Sequence, residues 1–252
     1  DADYIATGHY ARVVHTEGEE SVMLRGVDNN KDQTYFLCQL NQNQLNNSLF
    51  PIGELTKPEV RQIAEELDLP VAHKKDSTGI CFIGERDFRE FLKNYIPAKS
   101  GKMVDIVSKK VIGEHQGIMY YTIGQRKGLG IGGNGEPWFV VGKDYDKNIL
   151  YIAQGDSNKW LLSHGALITD VNWVSATKPE GEYDCTAKFR YRQRDNDVSL
   201  HFIDETTLYV TFKKPIKAVT PGQAAVFYDG DVCLGGGTID KVYKDGKEID
   251  YL

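Results

Sequence analysis

The sequence predicts an α/β-plus-β protein, and three observations predict it. A short apolar strand opens the chain and ends at a glycine, two amphipathic helical stretches precede Pro97, and everything after Ser100 reads as sheet. The opening segment, Asp3 to Tyr10, reads as a short buried strand running into a loop, where an apolar run stops at Gly8 and polar His9 follows. No crossover helix or partner strand precedes it, so the chain is expected to begin inside a domain. Thr56-Lys-Pro-Glu59 combines an N-cap, an early proline and a capping-box glutamate, and Val60, Ile63, Ala64 and Leu67 recur at helical spacing. This predicts a helix near 57 to 68, ended by Leu69-Pro70. Phe88, Phe91, Leu92 and Tyr95 predict a second, short helix.

Beyond Ser100, glycine punctuation and β-branched runs predict strands to the C-terminus. Trp138 to Gly142 and Ile149 to Ala153 form one expected hairpin. Ala166–Val174, Tyr183–Arg192, Val198–Ile203, Thr207–Phe212, Ala224–Tyr228 and Val232–Ile239 have the spacing of a small barrel or sandwich. Asp229-Gly230 predicts a type I′ turn, and Gly235-Gly-Gly237 a bulge or barrel corner. The domain boundaries expected are 1–84 for the end of an α/β domain, 85–157 for a central α+β domain and 158–252 for a β-barrel.

With 252 residues and 40% hydrophobic content the chain can bury a sizeable core. It contains no apolar run long enough to span a bilayer and no signal-peptide pattern, so a cytoplasmic location and no membrane partner are expected. Cys38, Cys81, Cys185 and Cys233 lie far apart, without a Cys-x-x-Cys pair, and the six histidines are equally scattered. Reduced thiols and no protein-bound metal are expected. A net charge of −6 argues against indiscriminate nucleic-acid binding. Residues 85 to 127 nevertheless hold nine Lys or Arg against five Asp or Glu, leading into Gly128-Leu-Gly-Ile-Gly-Gly133. By itself that is read as a solvated surface with a glycine-rich turn, and it lacks the pattern of a phosphate-binding loop.

Two features bear on chemistry. Cys81 sits in Lys74-Lys-Asp-Ser-Thr-Gly-Ile-Cys-Phe-Ile-Gly84, with Lys74, Lys75 and Arg86 to lower its pKa toward a nucleophilic thiolate. Flanked by Ile80 and Phe82, it reads on local residues alone more readily as a small buried hydrophobe. In Lys188-Phe-Arg-Tyr-Arg-Gln-Arg194 the cations alternate with Phe189 and Tyr191, which on a strand gives a cationic face opposite an aromatic one. Such a ladder suits phosphate contact and base stacking on looped RNA. The other reading is an exposed face whose arginines pair with Asp184, Asp195 or Asp197.

A longer set of strings adds a resemblance. Ala6-Thr-Gly-His-Tyr-Ala-Arg12, Asn30-Lys-Asp-Gln-Thr-Tyr-Phe-Leu37, Lys74 to Arg86, Tyr121-Thr-Ile-Gly-Gln-Arg-Lys-Gly-Leu-Gly-Ile131 and Thr220-Pro-Gly-Gln-Ala-Ala225 together resemble the bacterial tRNA-specific 2-thiouridylases. The resemblance implies an α/β nucleotide-binding domain of the PP-loop ATPase type and an enzyme that exchanges the C2 oxygen of wobble uridine for sulfur. It also implies ATP as a substrate, tRNA as a partner, and a persulfide sulfur donor or relay protein. By the same resemblance Cys81 bears the persulfide, Gly8 touches ATP, and His9, Lys31, Asp32, Gln33, Arg190, Tyr191 and Gln223 touch tRNA. The family's second cysteine, its aspartate and its Ser-Gly-Gly-x-Asp-Ser loop would lie before Asp1, so the chain alone is expected to be inactive. A non-catalytic RNA-binding module with a structural Cys81 is the rival expectation, and a thiol redox protein a third.

Overall fold

The computed structural model describes residues 2–74, 91, 94–175 and 178–252. The Cys81 segment and most of the second predicted helix fall outside the described residues. In chain order the elements are β1 (Ile5–Ala6), β2 (Ala11–Val14), β3 (Val22–Arg25), α1 (Thr34–Leu37), α2 (Gln42–Leu45), β4 (Ser48–Leu49) and α3 (Lys57–Glu66). Then follow β5 (Gly101–Asp105), β6 (Val111–His115), β7 (Trp138–Asp144), β8 (Ile149–Gln154), β9 (Leu162–Trp173), β10 (Glu182–Lys188) and β11 (Asn196–Phe202). β12 (Leu208–Lys217), β13 (Ala224–Asp229), β14 (Val232–Lys244) and β15 (Lys247–Glu248) complete the chain. Two compact units result: residues 1–74, 164–214 and 221–242 form the first, and 75–163, 215–220 and 243–252 the second.

In the first unit β13, β10, β11, β12, β9 and β14 pair in that order, and β13 also pairs β14, so the barrel closes. Its interior is built by alternate residues such as Ala187, Val198, Leu200, Val210 and Val226, all buried. The barrel corner predicted at Gly235 to Gly237 is present. The register shifts between Phe227 and Tyr228, and Gly235 has φ 146°. A Cβ there would stand 2.1 Å from the Asn172 carbonyl oxygen, so only glycine fits this crossing.

Three expectations are corrected. The opening strand is exposed rather than buried: it is confined to β1, which lies parallel to β4 with Ile5 opposite Ser48, and Ile5 keeps 67% of its surface in solvent. The β13–β14 turn is made by Gly230 and Asp231, and only Gly230 has positive φ (54°), the pattern of a type II′ rather than a type I′ turn. The strand predicted over 183–192 ends at Lys188. Phe189 is fully buried against Phe212, and Arg192 adopts φ 64°, so Arg190 to Arg194 form a loop and no cationic ladder.

The predicted helix is α3, and its capping box forms: the Thr56 amide and hydroxyl each donate to the Glu59 carboxylate at 2.7 Å. Asp28 accepts from the Lys57 amide at 2.9 Å, placing a carboxylate at the positive end of the same helix. In the second unit β6, β5, β8 and β7 form a four-stranded sheet, in which β5 and β8 are parallel and the expected β7–β8 hairpin is antiparallel. Met103, Val140, Leu150 and Ile152 form the centre of its core.

Candidate nucleic-acid interface

The surface that concerns function is built around α1. The turn before it is wound on Asp28, whose backbone carbonyl accepts from the amides of Lys31 and Asp32. Asp32 then points inward. It is 5% exposed and accepts from the Gly26 amide (3.1 Å), the Thr34 amide (3.3 Å) and the Thr34 hydroxyl (2.9 Å). A carboxylate taking its neighbours' amides in this way starts a helical turn without a regular cap. Gln33 ties the turn to the end of the opening segment: its amide donates to the Tyr10 carbonyl and its side-chain oxygen accepts from the Tyr10 amide, both at 2.9 Å. Gly8 and His9 are thereby held beside the 31–33 turn, with His9 fixed by Thr7 Oγ1 at 2.9 Å and by an edge-on contact with Phe50.

Beneath α1 lies a cluster of charge, buried at Asp32 and Arg25 and opening to solvent at Asp195. Lys188 Nζ stands 3.8 Å from Asp32 and 4.0 Å from Asp195, and Arg25 bonds Asp195 at 3.0 Å. Both cations also sit on the Tyr228 ring, Arg25 at 3.7 Å and Lys188 at 5.5 Å from its centroid, while the Tyr228 hydroxyl meets Thr34 Oγ1 at 3.3 Å. The two cations share one aromatic ring and each faces a carboxylate, buried Asp32 for Lys188 and the more exposed Asp195 for both, so neither cation is buried without a partner. The cluster ties the 31–33 turn to the 189–195 loop.

On the outer side the two loops meet through aromatic rings. Tyr191 lies 4.5 Å from Phe36 and 6.2 Å from Tyr35, and Tyr35 donates its hydroxyl to the Ala224 carbonyl at 2.9 Å, next to Gln223. Burial pushes the Tyr35 phenol up to about 12 and, against the pull of that phenol, lowers the Arg190 guanidinium. Gly8, His9, Lys31, Gln33, Arg190, Tyr191 and Gln223 therefore share one neighbourhood, with Gly8 and Gln223 exposed. Asp32 belongs to it as a buried anchor. Sequence reasoning missed Phe36 and Arg25, and it put Lys188 on an outer cationic face, whereas its ammonium faces buried Asp32. The signal for Phe36 was present, since a second aromatic beside Tyr35 on a single helical turn cannot face the same core.

The remaining described thiols are inert by environment. Burial raises Cys38 to about 11 and Cys185 to about 12, and holds the fully buried Cys233 thiol well above its ordinary value. In the second unit the glycine-rich segment lines an open groove of about 450 Å³ between Arg126 and Trp138, with Glu136 also on its wall. Just before this segment, Gln125 accepts from the Thr122 amide and donates to the Lys127 carbonyl. Among the described residues no group of three or more His, Cys, Asp or Glu is placed to hold a metal, and no helix is long and apolar enough to cross a membrane.

The proteins this chain is similar to are modular enzymes of tRNA modification. Family models match in series: a tRNA methyl transferase HUP domain over residues 1–85, a tRNA methyl transferase PRC-barrel domain over 89–154 and an aminomethyltransferase beta-barrel domain over 163–239. The tRNA-specific 2-thiouridylase MnmA of Bacillus cytotoxicus is 61% identical over 251 residues, which is 100% of this chain and 67% of the relative. Proteins of the same name from Bacillus cereus and Bacillus thuringiensis are 60% identical over the same shares. The chain belongs to the tRNA-specific 2-thiouridylase family. It comprises a HUP-domain portion, a central PRC-barrel domain and a C-terminal β-barrel.

Proposed function

We propose that this protein places sulfur at C2 of a wobble uridine in tRNA, and that the surface around α1 is where the tRNA is held. The observation that carries the RNA side of this reading is the convergence of His9, Lys31, Gln33, Arg190, Tyr191 and Gln223, distant in sequence, around one four-residue helix. Lys and Arg supply donors for phosphate, Gln for base edges, and Tyr a ring for a splayed base. Asp32 supports that surface from below through Lys188.

The sulfur in this reading arrives as the outer atom of a persulfide on Cys81, loaded by a sulfur donor or relay protein. ATP supplies the adenylyl group that turns the C2 oxygen into a leaving group, and the outer sulfur forms the bond to C2 as AMP departs. A second thiol, the upstream cysteine the family resemblance implies, then breaks the S–S bond and is left in a disulfide with Cys81. Exposed Gly8, where a Cβ would meet nothing within 4 Å, leaves room for a nucleotide against the backbone. Cys38, Cys185 and Cys233 do not suit a second reacting thiol, because burial keeps them protonated. The divisions 1–84, 85–157 and 158–252 assign nucleotide chemistry to the first part and RNA docking to the last, in a protein working in the cytoplasm.

The test is the 2-thiouridine content of wobble positions in tRNA from cells whose only copy of the protein carries Cys81→Ser. Loss of the thiolated base, with tRNA binding intact, is expected. Retained thiolation sinks the persulfide role of Cys81 and leaves an RNA-binding module with a structural cysteine.

A further inference from the structure

Phe36 is the exposed side of α1. Thr34, Tyr35 and Cys38 on the same turn are buried, whereas Phe36 leaves 56% of its surface in solvent. Single exposed apolar residues are ordinary. This one is different because its ring is braced rather than free: Tyr35 meets it edge-on at 5.5 Å and 89°, and Tyr191 packs at 4.5 Å and 44°. Arg192 lies 5.4 Å from the Tyr191 centroid, so a guanidinium borders the aromatic group. A rigid apolar ring beside a cation matches the two faces of a nucleotide, with the base stacking on the ring and the phosphate pairing with the guanidinium. Bases inside a duplex are already stacked, so the nucleotide must be an unpaired one from a loop or single strand.

Resting on the tRNA reading of this surface, we propose that Phe36, braced by Tyr35 and Tyr191, is the stacking platform for one unpaired nucleobase of the bound RNA. The ring preorganises the contact, because neither aromatic neighbour has to move to present it. Recognition here is by π-face and is tolerant of base identity.

The test uses RNA stem-loops carrying 2-aminopurine singly at each loop position, whose fluorescence falls on stacking. Wild-type protein is expected to quench one loop position on saturable binding. Phe36→Ala and Phe36→Leu lose that quenching and bind about tenfold more weakly, while Phe36→Tyr and Phe36→Trp keep both. Leu preserves apolar volume without a π-face, and the Leu and Tyr variants decide the matter even if the Ala variant misfolds. Wild-type quenching and affinity in Phe36→Leu overturn the proposal while leaving tRNA binding in place. Absence of saturable RNA binding by the wild-type protein instead overturns the tRNA reading and this inference with it.

Discussion

Replacing Asp32 by alanine separates an anchor from a contact. The carboxylate is buried and receives three donors, the Gly26 amide, the Thr34 amide and the Thr34 hydroxyl, with the Lys188 ammonium 3.8 Å away. Alanine leaves these donors unpartnered and removes the nearer of the two carboxylates facing Lys188. Breaking a buried charge pair by deleting one partner costs about 3–5 kcal/mol, and the stranded amides fall within the same range. Asparagine keeps one oxygen for the donors and loses only the charge, a cost of about 1.5–3 kcal/mol. With a urea dependence of about 2 kcal/mol per molar, Asp32→Ala lowers the unfolding midpoint by about 1.5–2.5 M and Asp32→Asn by about half as much. Urea titration followed by tryptophan fluorescence reads both, and RNA affinity measured on the folded protein completes the comparison. An Asp32→Ala protein within about 0.3 M of the wild-type midpoint that nevertheless loses RNA would refute the reasoning and restore Asp32 as a direct contact.

His115 is buried with Nε2 3.1 Å from the Asn148 carbonyl, while Nδ1 accepts from the Gly117 amide at 3.2 Å, an arrangement that fixes the neutral ring. Burial lowers its pKa below the ordinary 6.5, against the Asn148 hydrogen bond, so the unfolded chain binds the proton more readily. Stability from this group is complete above about pH 6.5 and falls as the pH drops through the folded pKa, and His115→Gln flattens that slope in thermal melts across pH 5 to 7.5. A slope unchanged by the substitution assigns the acid sensitivity elsewhere. Native alkylation at pH 7.5, mapped by mass spectrometry, is expected to label Cys81 and to spare Cys38, Cys185 and Cys233, whose thiols burial holds protonated. Labelling of any of those three at the rate of Cys81 would readmit it as a reacting thiol.

The parts of this fold that were legible in the sequence are those fixed by local rules. Thr56, Pro58 and Glu59 start α3, Gly235 to Gly237 mark the barrel crossing, and alternating apolar residues place most of the strands. The misreadings arose where distant partners decide. Lys188 to Arg194 has perfect alternation for a strand, yet Phe189 is claimed by Phe212 in the barrel and Lys188 by Asp32 from another part of the chain. With those two residues turned inward, the pleat cannot continue, and Arg192 takes positive φ to reverse the chain. α1 and α2 span four residues each, too few to show a helical period, although Asn41 and Gln44 do form a capping box.

The same long-range pairing explains why the interface had to be seen in three dimensions. Local sequence marks Lys31, Asp32 and Gln33 as one polar turn with three similar roles. The structure gives them different ones: Asp32 is consumed by the charge cluster on Tyr228, Gln33 clasps Tyr10, and Lys31 precedes both on the turn, its amide donating to the Asp28 carbonyl. Burying Asp32 is what fixes the loop, since a carboxylate with three donors and an ammonium beside it holds one orientation where a solvated side chain would sample many. The cluster takes the 189–195 loop with it through Lys188 and Asp195, and so brings Tyr191 against Phe36. A substitution at Lys188 or Asp195 therefore acts on RNA through the position of Tyr191, although neither needs to touch the nucleic acid.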